Sequence, residues 1–347
     1  MLPVFLWRDW KEGEEKHMSD IVISNLTSPA ILFFLLGIVA SLVKSDLRFP
    51  KGLSETLSIY LLIAIGLKGG IELSEHSFND IIRPLLGTLF LGIAIPVITF
   101  VICRRIGIDL KNAVAIAATY GSVSIVTFGA AIAFLDQMNT SFESYMNAFV
   151  VLLESPAIIV ALFIYRFIEK GAHRSQTNLH FSASAMYAPV LRESLFGKSV
   201  LLMLGSLLIG LLGGEHALSV GKPLFIDLYP SVLILFLLGM GLTAGSQFAA
   251  LRQYGVKLIA LGVGLPLIYG GFGVFIGFYS GLSLGGTVLM GVLAASASYI
   301  AAPAAMRASV PEANPSIYLG MSLGITFPFN LTIGLPLYYQ MAHWLHG

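Results

Sequence analysis

Cysteine occurs once in this chain, at Cys103, which excludes an internal disulfide and any cysteine-bound metal cluster. Charge is scarce as well. Only 11% of residues are Asp, Glu, Lys or Arg, less than half the share of about 25% in an ordinary soluble domain. The formal net charge is +1 and no basic block stands outside the stretches between apolar runs, so nucleic acid is not an expected partner. The seven histidines are scattered, which argues against a metal enzyme. No Ser-His-Asp or paired-carboxylate arrangement can be assembled inside the apolar segments, so an enzyme is not expected. What the chain has in abundance is apolar surface: 56% hydrophobic residues and a mean hydropathy of +0.84. Uncharged apolar runs of about 18 residues or more recur along it, the signature of an all-α polytopic membrane protein.

Residues 1–17 fit this pattern poorly. Lys11 to His17 are encoded mostly by purine-rich codons, and such a run before Met18 resembles a ribosome-binding site translated in frame. Met18 is therefore the expected native start and 1–17 a non-native extension. Leu2 to Leu6 is too short for a signal-peptide core. Ten spans are expected, at 29–44, 53–73, 81–103, 112–135, 145–167, 199–217, 228–245, 255–279, 285–306 and 316–343. The polar linker 169–198 divides them five and five, into repeats 18–168 and 199–347. After the first seventeen residues, only Lys68, Arg83 and Lys222 among the lysines and arginines fall outside the odd-to-even loops. That bias places the linker in the cytoplasm and both termini outside, in a multi-pass inner-membrane protein.

The two halves resemble each other. Ile65 to Gly70 (I-G-L-K-G-G) matches Met240 to Gly245 (M-G-L-T-A-G), and Leu91 to Pro96 (L-G-I-A-I-P) matches Leu261 to Pro266 (L-G-V-G-L-P). Third in the same order come two stretches that look wrong for lipid. Gly121 to Ala131 reads G-S-V-S-I-V-T-F-G-A-A, and Ser296 to Ala305 reads S-A-S-Y-I-A-A-P-A-A. Ser122 aligns with Ser296 and Ser124 with Ser298. Five spans per repeat is odd, so the repeats are expected to be inverted, with broken spans four and nine.

A broken helix in a bilayer survives only where protein or a wet cavity receives its freed backbone groups. The second halves of spans four and nine begin near the midplane, and their N-termini suit a small anion. Gly121, Ser122, Ser124, Ser296, Ser298 and Tyr299 are the candidate substrate-binding residues, the serines as helix caps and Pro303 in a first turn. The alternative is that small residues there only let helices pack closely. The first halves end at the same place with free carbonyls, which suit Na+. Glu154, in V-V-L-L-E-S-P beside Pro156, is the one acid deep in an apolar run, and intramembrane carboxylates are costly and usually functional. It is a candidate ion-coupling residue with Thr127, Thr326 and Asn330. Its alternative is a structural hydrogen bond at the Pro156 kink. Thr119 and Thr127 can equally bond their own backbone. Lys68 is expected to pair with Glu72 and snorkel. Phe196 to Ser199 (F-G-K-S) is not a phosphate-binding loop, because Arg192 stands where the earlier glycine is needed.

At these residues the chain resembles the sodium-dependent bicarbonate permeases of cyanobacterial type, over nearly all of 25–347. The carriers are I-G-L-K-G-G (65–70), G-S-V-S-I-V-T (121–127), E-S-P-A (154–157) and R-A-S-V-P-E-A-N-P-S (307–316). The resemblance implies a homotrimer of five-plus-five inverted repeats, a gate domain, a moving core domain and elevator-type exchange. It also implies a P-II-like cytoplasmic regulatory partner. Two departures stand out. Tyr299 replaces an aspartate of the family pattern S-S-S-D-I-S-G-P-P, and Ala297, Ala301 and Ala302 replace serine, serine and glycine; Glu154 stands for an aspartate. Bicarbonate symport with Na+ is therefore the first expectation, with no organic cofactor. Permeation of another small monovalent anion, driven by protons through Glu154 or by Na+, is the second. A non-transporting membrane protein that docks a signalling partner is the third.

Overall fold

The computed structural model describes residues 19–50, 52–173, 196–251 and 255–347. The extension 1–17, Met18 and most of the linker lie outside them. Every described element is helical. In chain order these are α1 (Ser19–Leu26), α2 (Pro29–Leu42), α3 (Leu53–Ser74), α4 (Phe78–Arg105), α5 (Leu110–Gly121), α6 (Ile125–Gln137), α7 (Met146–His173) and α8 (Lys198–Gly221). Then come α9 (Tyr229–Leu251), α10 (Gly255–Tyr279), α11 (Leu284–Ala295), α12 (Ala301–Ser309) and α13 (Pro315–His346). Side-chain caps start several of them. Asp109 accepts from the N–H groups of Lys111 and Asn112 ahead of α5, Ser283 from Gly286 ahead of α11, and Asn314 from Ser316 ahead of α13.

By length and composition, seven described helices can cross a membrane, or eight if α1 and α2, bent by 64°, form one span. That is short of the ten expected from sequence, and the difference lies in identifiable places. Lys198–Gln247 runs as one 50-residue apolar stretch, about 75 Å at 1.5 Å per residue, against a bilayer core of about 30 Å. It is interrupted at Gly214, whose φ of +45° suits glycine alone, and again by a π-helical segment at Lys222–Asp227. The twelve-residue α11 is too short to count by itself.

Two groups of helices are distinguishable by packing. In one, α3 lies against α8 and α2 against α9. Glycines allow the close crossings: a Cβ on Gly241 would collide with the Phe34 carbonyl, and one on Gly70 with the Leu207 carbonyl. In the other, α4, α5 and α7 pack on one another, and α10, α11 and α13 do likewise. The broken stretch Leu110–Gln137 is the most interior, with 94% of its apolar window buried, against 33% for Phe78–Arg105. Helix α4 turns Leu86, Phe90, Ile93 and Val101 outward, a lipid-facing surface in a protein of this class.

Helix α1 belongs to both groups in different ways. It precedes α2, yet Asn25, 1% exposed, donates to the Leu331 carbonyl of α13 at 2.7 Å. Gln137, at the end of α6, donates to the Ser24 carbonyl at 3.0 Å and to its hydroxyl. Helix α13 itself is interrupted by two π-helical segments, Ser322–Thr326 and Asn330–Gly334. Such segments free carbonyls and recur at functional sites.

The close crossing of α2 and α9 leads to a test. Gly241→Val forces backbones apart, and overpacking typically costs about 1–3 kcal/mol. Melting of the solubilised protein should therefore drop, whereas Gly264→Val, with nothing within 4 Å of a new Cβ, should melt like the parent. Equal melting of the two variants would contradict this reading of the crossing.

Candidate functional site

The two interruptions are built alike and meet each other. Helices α5 and α11 each have 12 residues and end in a serine with extended backbone, Ser122 (φ −88°, ψ 170°) and Ser296 (φ −77°, ψ 160°). Each serine's N–H closes the last turn, onto Ala118 and Val292 respectively. Ser122 and Ser296 thus terminate the first halves rather than cap the second. Capping falls to the next serines: Ser124 Oγ accepts from the Thr127 N–H at 3.2 Å, and Ser298 Oγ from the Ala302 N–H at 3.3 Å. Pro303 lies in the first turn of α12, where its missing N–H costs nothing.

The breaks also satisfy one another across the molecule. The Ser124 N–H donates to Ser296 Oγ at 3.0 Å, and the Ser298 N–H to the Thr119 carbonyl at 2.8 Å. Ser296 Oγ donates in turn to Leu293, so Ser296 is fully used as a clamp. Ser124 Oγ accepts from both the N–H and the hydroxyl of Thr127. Its lone pairs are occupied, and its hydrogen is left to donate. The hydroxyls of Ser122 and Thr119 are buried without a hydrogen-bond partner, and that of Tyr299 lies beside Ser124 without a bond of good geometry. The first-turn N–H groups of Ile125 and Val126 have no acceptor within their own helix. This is a surplus of donors beside two helix N-termini, an arrangement suited to an anion.

Glu154 supplies the opposite character. It is 2% exposed on α7; its Oε2 and the neighbouring Ser155 hydroxyl are both buried and unpartnered. It lies one turn before Ala157, and Ala157 faces Gly121 so closely that a Cβ there would approach it to 2.8 Å. No basic side chain among the described residues pairs with it. Unpaired buried polar atoms are few in native proteins, and each cost about 1–3 kcal/mol if left unsatisfied. Their concentration here is the physical sign of a site.

Thr326 and Asn330 are placed differently. Thr326 Oγ1 donates to the Gly262 carbonyl at 2.6 Å and shares a 2.6 Å bond with the Tyr120 hydroxyl. Asn330 donates to the Ala295 carbonyl, the last of α11, at 2.9 Å and accepts from Tyr338. Both brace α13 against the breaks, and neither is an unpartnered oxygen. Tyr120, Tyr338 and Asn25, which complete this bracing, were not singled out from sequence. Two prolines inside α13, Pro328 and Pro336, are the sequence sign of its interruption. Tyr299 packs edge-on against Phe327, ring centres 5.4 Å apart, and Phe327 against Phe34 of α2 at 5.2 Å.

Tyr299 and Ile300 line a cavity of about 520 Å³ between α3, α7, α8, α9, α12 and α13. Glu55 and Lys198, an ion pair, and Arg307 also line it. At the other end of α3 the gap is shut. A Cβ on Gly69 would meet the backbone of Asn147 and Ala148 at 2.8–2.9 Å. Asn147 donates to Glu72 at 2.7 Å, Lys68 pairs with Glu72 at 3.8 Å, and His76 shares a 2.9 Å bond with Ser144.

Residues 29–343 match the Na+-dependent bicarbonate transporter superfamily. The chain belongs to that family. It is accordingly an integral membrane protein of a sodium-dependent transporter family, and the broken helices, buried carboxylate and cavity lie within the matched region. No curated protein matches the chain.

Opposite stability effects are expected within the site. Tyr299→Phe removes a hydroxyl that makes no bond of good geometry, so the folded protein should melt no lower and up to about 1 kcal/mol more stably. Ser296→Ala strands the Ser124 N–H and should cost about 1–3 kcal/mol. Thermal melting of the two variants in detergent checks the signs, and a loss in both would mean that the Tyr299 hydroxyl is engaged.

Proposed function

We propose that the protein takes up bicarbonate together with Na+ by alternating access. The observation that carries this reading is the contact of the two breaks, which leaves uncommitted donors at the crossing, with the buried carboxylate of Glu154 one turn along α7 from the Gly121–Ala157 approach. The donors of Ser122, Ser124, Ser298 and Tyr299 hold the anion, and Glu154 with Thr127 and the carbonyl ends of α5 and α11 attracts the cation. Coupling has an electrical reason. Moving one negative charge inward against an inside-negative potential costs about 2.3 kcal/mol per 100 mV, and one accompanying Na+ cancels that term.

In this reading the chain crosses the membrane ten times as two inverted repeats. The equal lengths of α5 and α11 support it, as does the exchange of partners by which α2 pairs with α9 and α3 with α8. The group of α2, α3, α8 and α9 is the fixed gate, and α4–α7 with α10–α13 the moving core. The cavity opens at the end carrying Glu55, Lys198 and Arg307, the face richest in basic residues, and the Gly69–Asn147 contact closes the outer end. The conformation is then inward-facing. A second reading, proton-driven permeation of another small monovalent anion, is favoured by Tyr299 at the aspartate position of the family pattern and by the absence, among the described residues, of a basic partner for Glu154.

Uptake of labelled bicarbonate into proteoliposomes decides between them: dependence on a Na+ gradient supports the first, and uptake with a pH gradient but no Na+ supports the second. Glu154→Gln should abolish cation-driven uptake at least tenfold while the protein remains folded in the membrane; unchanged uptake and cation dependence would return Glu154 to a structural role. Gly69→Val places a side chain where two backbones touch only with the outer end shut. It should slow transport severalfold and raise labelling, by an impermeant reagent, of a cysteine introduced beside that contact, and normal transport would remove the contact from the cycle.

A further inference from the structure

The cavity is many times larger than an anion of four heavy atoms, and its charges are uneven. Of the three charged side chains lining it, Glu55 and Lys198 neutralise each other across α3 and α8. On the same face Lys111 pairs with Glu312 at 3.3 Å and Arg166 with Glu169 at 3.2 Å. Arg307 differs. It is exposed and makes no hydrogen bond or ion pair with any described residue. It stands six residues into α12, about 9 Å along the helix from Ala301, so Tyr299 and Ile300 lie just before the start of the helix that carries the uncompensated cation near its finish.

We propose that Arg307 is a positioning residue for the anion's passage between the inner solution and the site. Its charge raises the concentration of small anions in the cavity and lowers that of cations, setting the apparent affinity on the inner face. The proposal rests on the reading of the site as an anion site, but the electrostatic part is separable. The bland role for Arg307 is to complement the C-terminal dipole of α12. That role predicts a stability effect and no discrimination between ions in the cavity.

Discrimination can be read without transport. Cys103 is 0% exposed, so a cysteine introduced at Ala304, which is exposed and lines the cavity, reports alone. Ala304→Cys protein in detergent is treated with methanethiosulfonates of equal size and opposite charge, each rate divided by that for a free thiol. The thiolate fraction cancels in the ratio. A unit charge about 10 Å away, screened at physiological salt, should favour the anionic reagent on the order of fivefold, and more at low ionic strength. Arg307→Gln should remove the preference and Arg307→Lys should keep it. Equal relative rates with and without Arg307, or no reaction with either reagent, would overturn the proposal. In proteoliposomes Arg307→Gln should raise the half-saturating bicarbonate concentration on the cavity side severalfold with little change in maximal rate. A charge preference in a parent protein that moves no bicarbonate would sink the transport reading alone. Bicarbonate transport without the preference would sink only the role of Arg307.

Discussion

A backbone N–H or C=O that leaves a helix inside a bilayer must find a partner in protein or water. Two helices in this chain stop halfway, at Gly121 and Ala295, and their solution is mutual. The N–H of Ser124 reaches Ser296, and the N–H of Ser298 reaches Thr119. Neither interruption could stand in this form alone. The pairing needs both strands of the crossing at once, so the surrounding helices must hold α5–α6 and α11–α12 in register. That requirement explains the polar bracing by Tyr120, Thr326, Asn330 and Tyr338, all buried. Groups left over after the mutual bonding are the ones available to a ligand.

The same arithmetic separates residues of similar sequence appearance. Four serines occupy equivalent places in the two breaks. Ser296 has spent its hydroxyl on Leu293 and Ser124, whereas Ser122 keeps a buried hydroxyl without a partner. Tyr299 differs in kind from these serines, because a phenol brings one donor and no charge to the crossing.

Much of this was legible in the sequence because membrane helices have a simple grammar. Apolar runs announced the class, and glycine, serine and proline in mid-run located both breaks to within a residue or two. Glu154 was visible as an acid where lipid tolerates none. What could not be read depends on partners far apart in the chain. Thr326 and Asn330 looked like spare oxygens, but Gly262, Tyr120, Ala295 and Tyr338 had already taken them. Asn25 lay before the first expected span and gave no local sign of its contact with Leu331, some three hundred residues away. The cavity is likewise a property of six helices together, and no segment of α3 or α12 advertises it.

The bend between α1 and α2 has a mechanical consequence. Helix α2 is packed on α9, while α1 is tied through Ser24 and Asn25 to α6 and α13. One polypeptide strap therefore spans two bodies, and any displacement between them must be taken up at Thr27, Ser28 and Pro29. That joint is cheap to flex. Pro29 has no N–H and so no backbone rung of its own to lose, and Ser28 already holds extended backbone between the 64°-bent helices. A strap of this kind limits how far the two groups can part while letting the angle between its halves change.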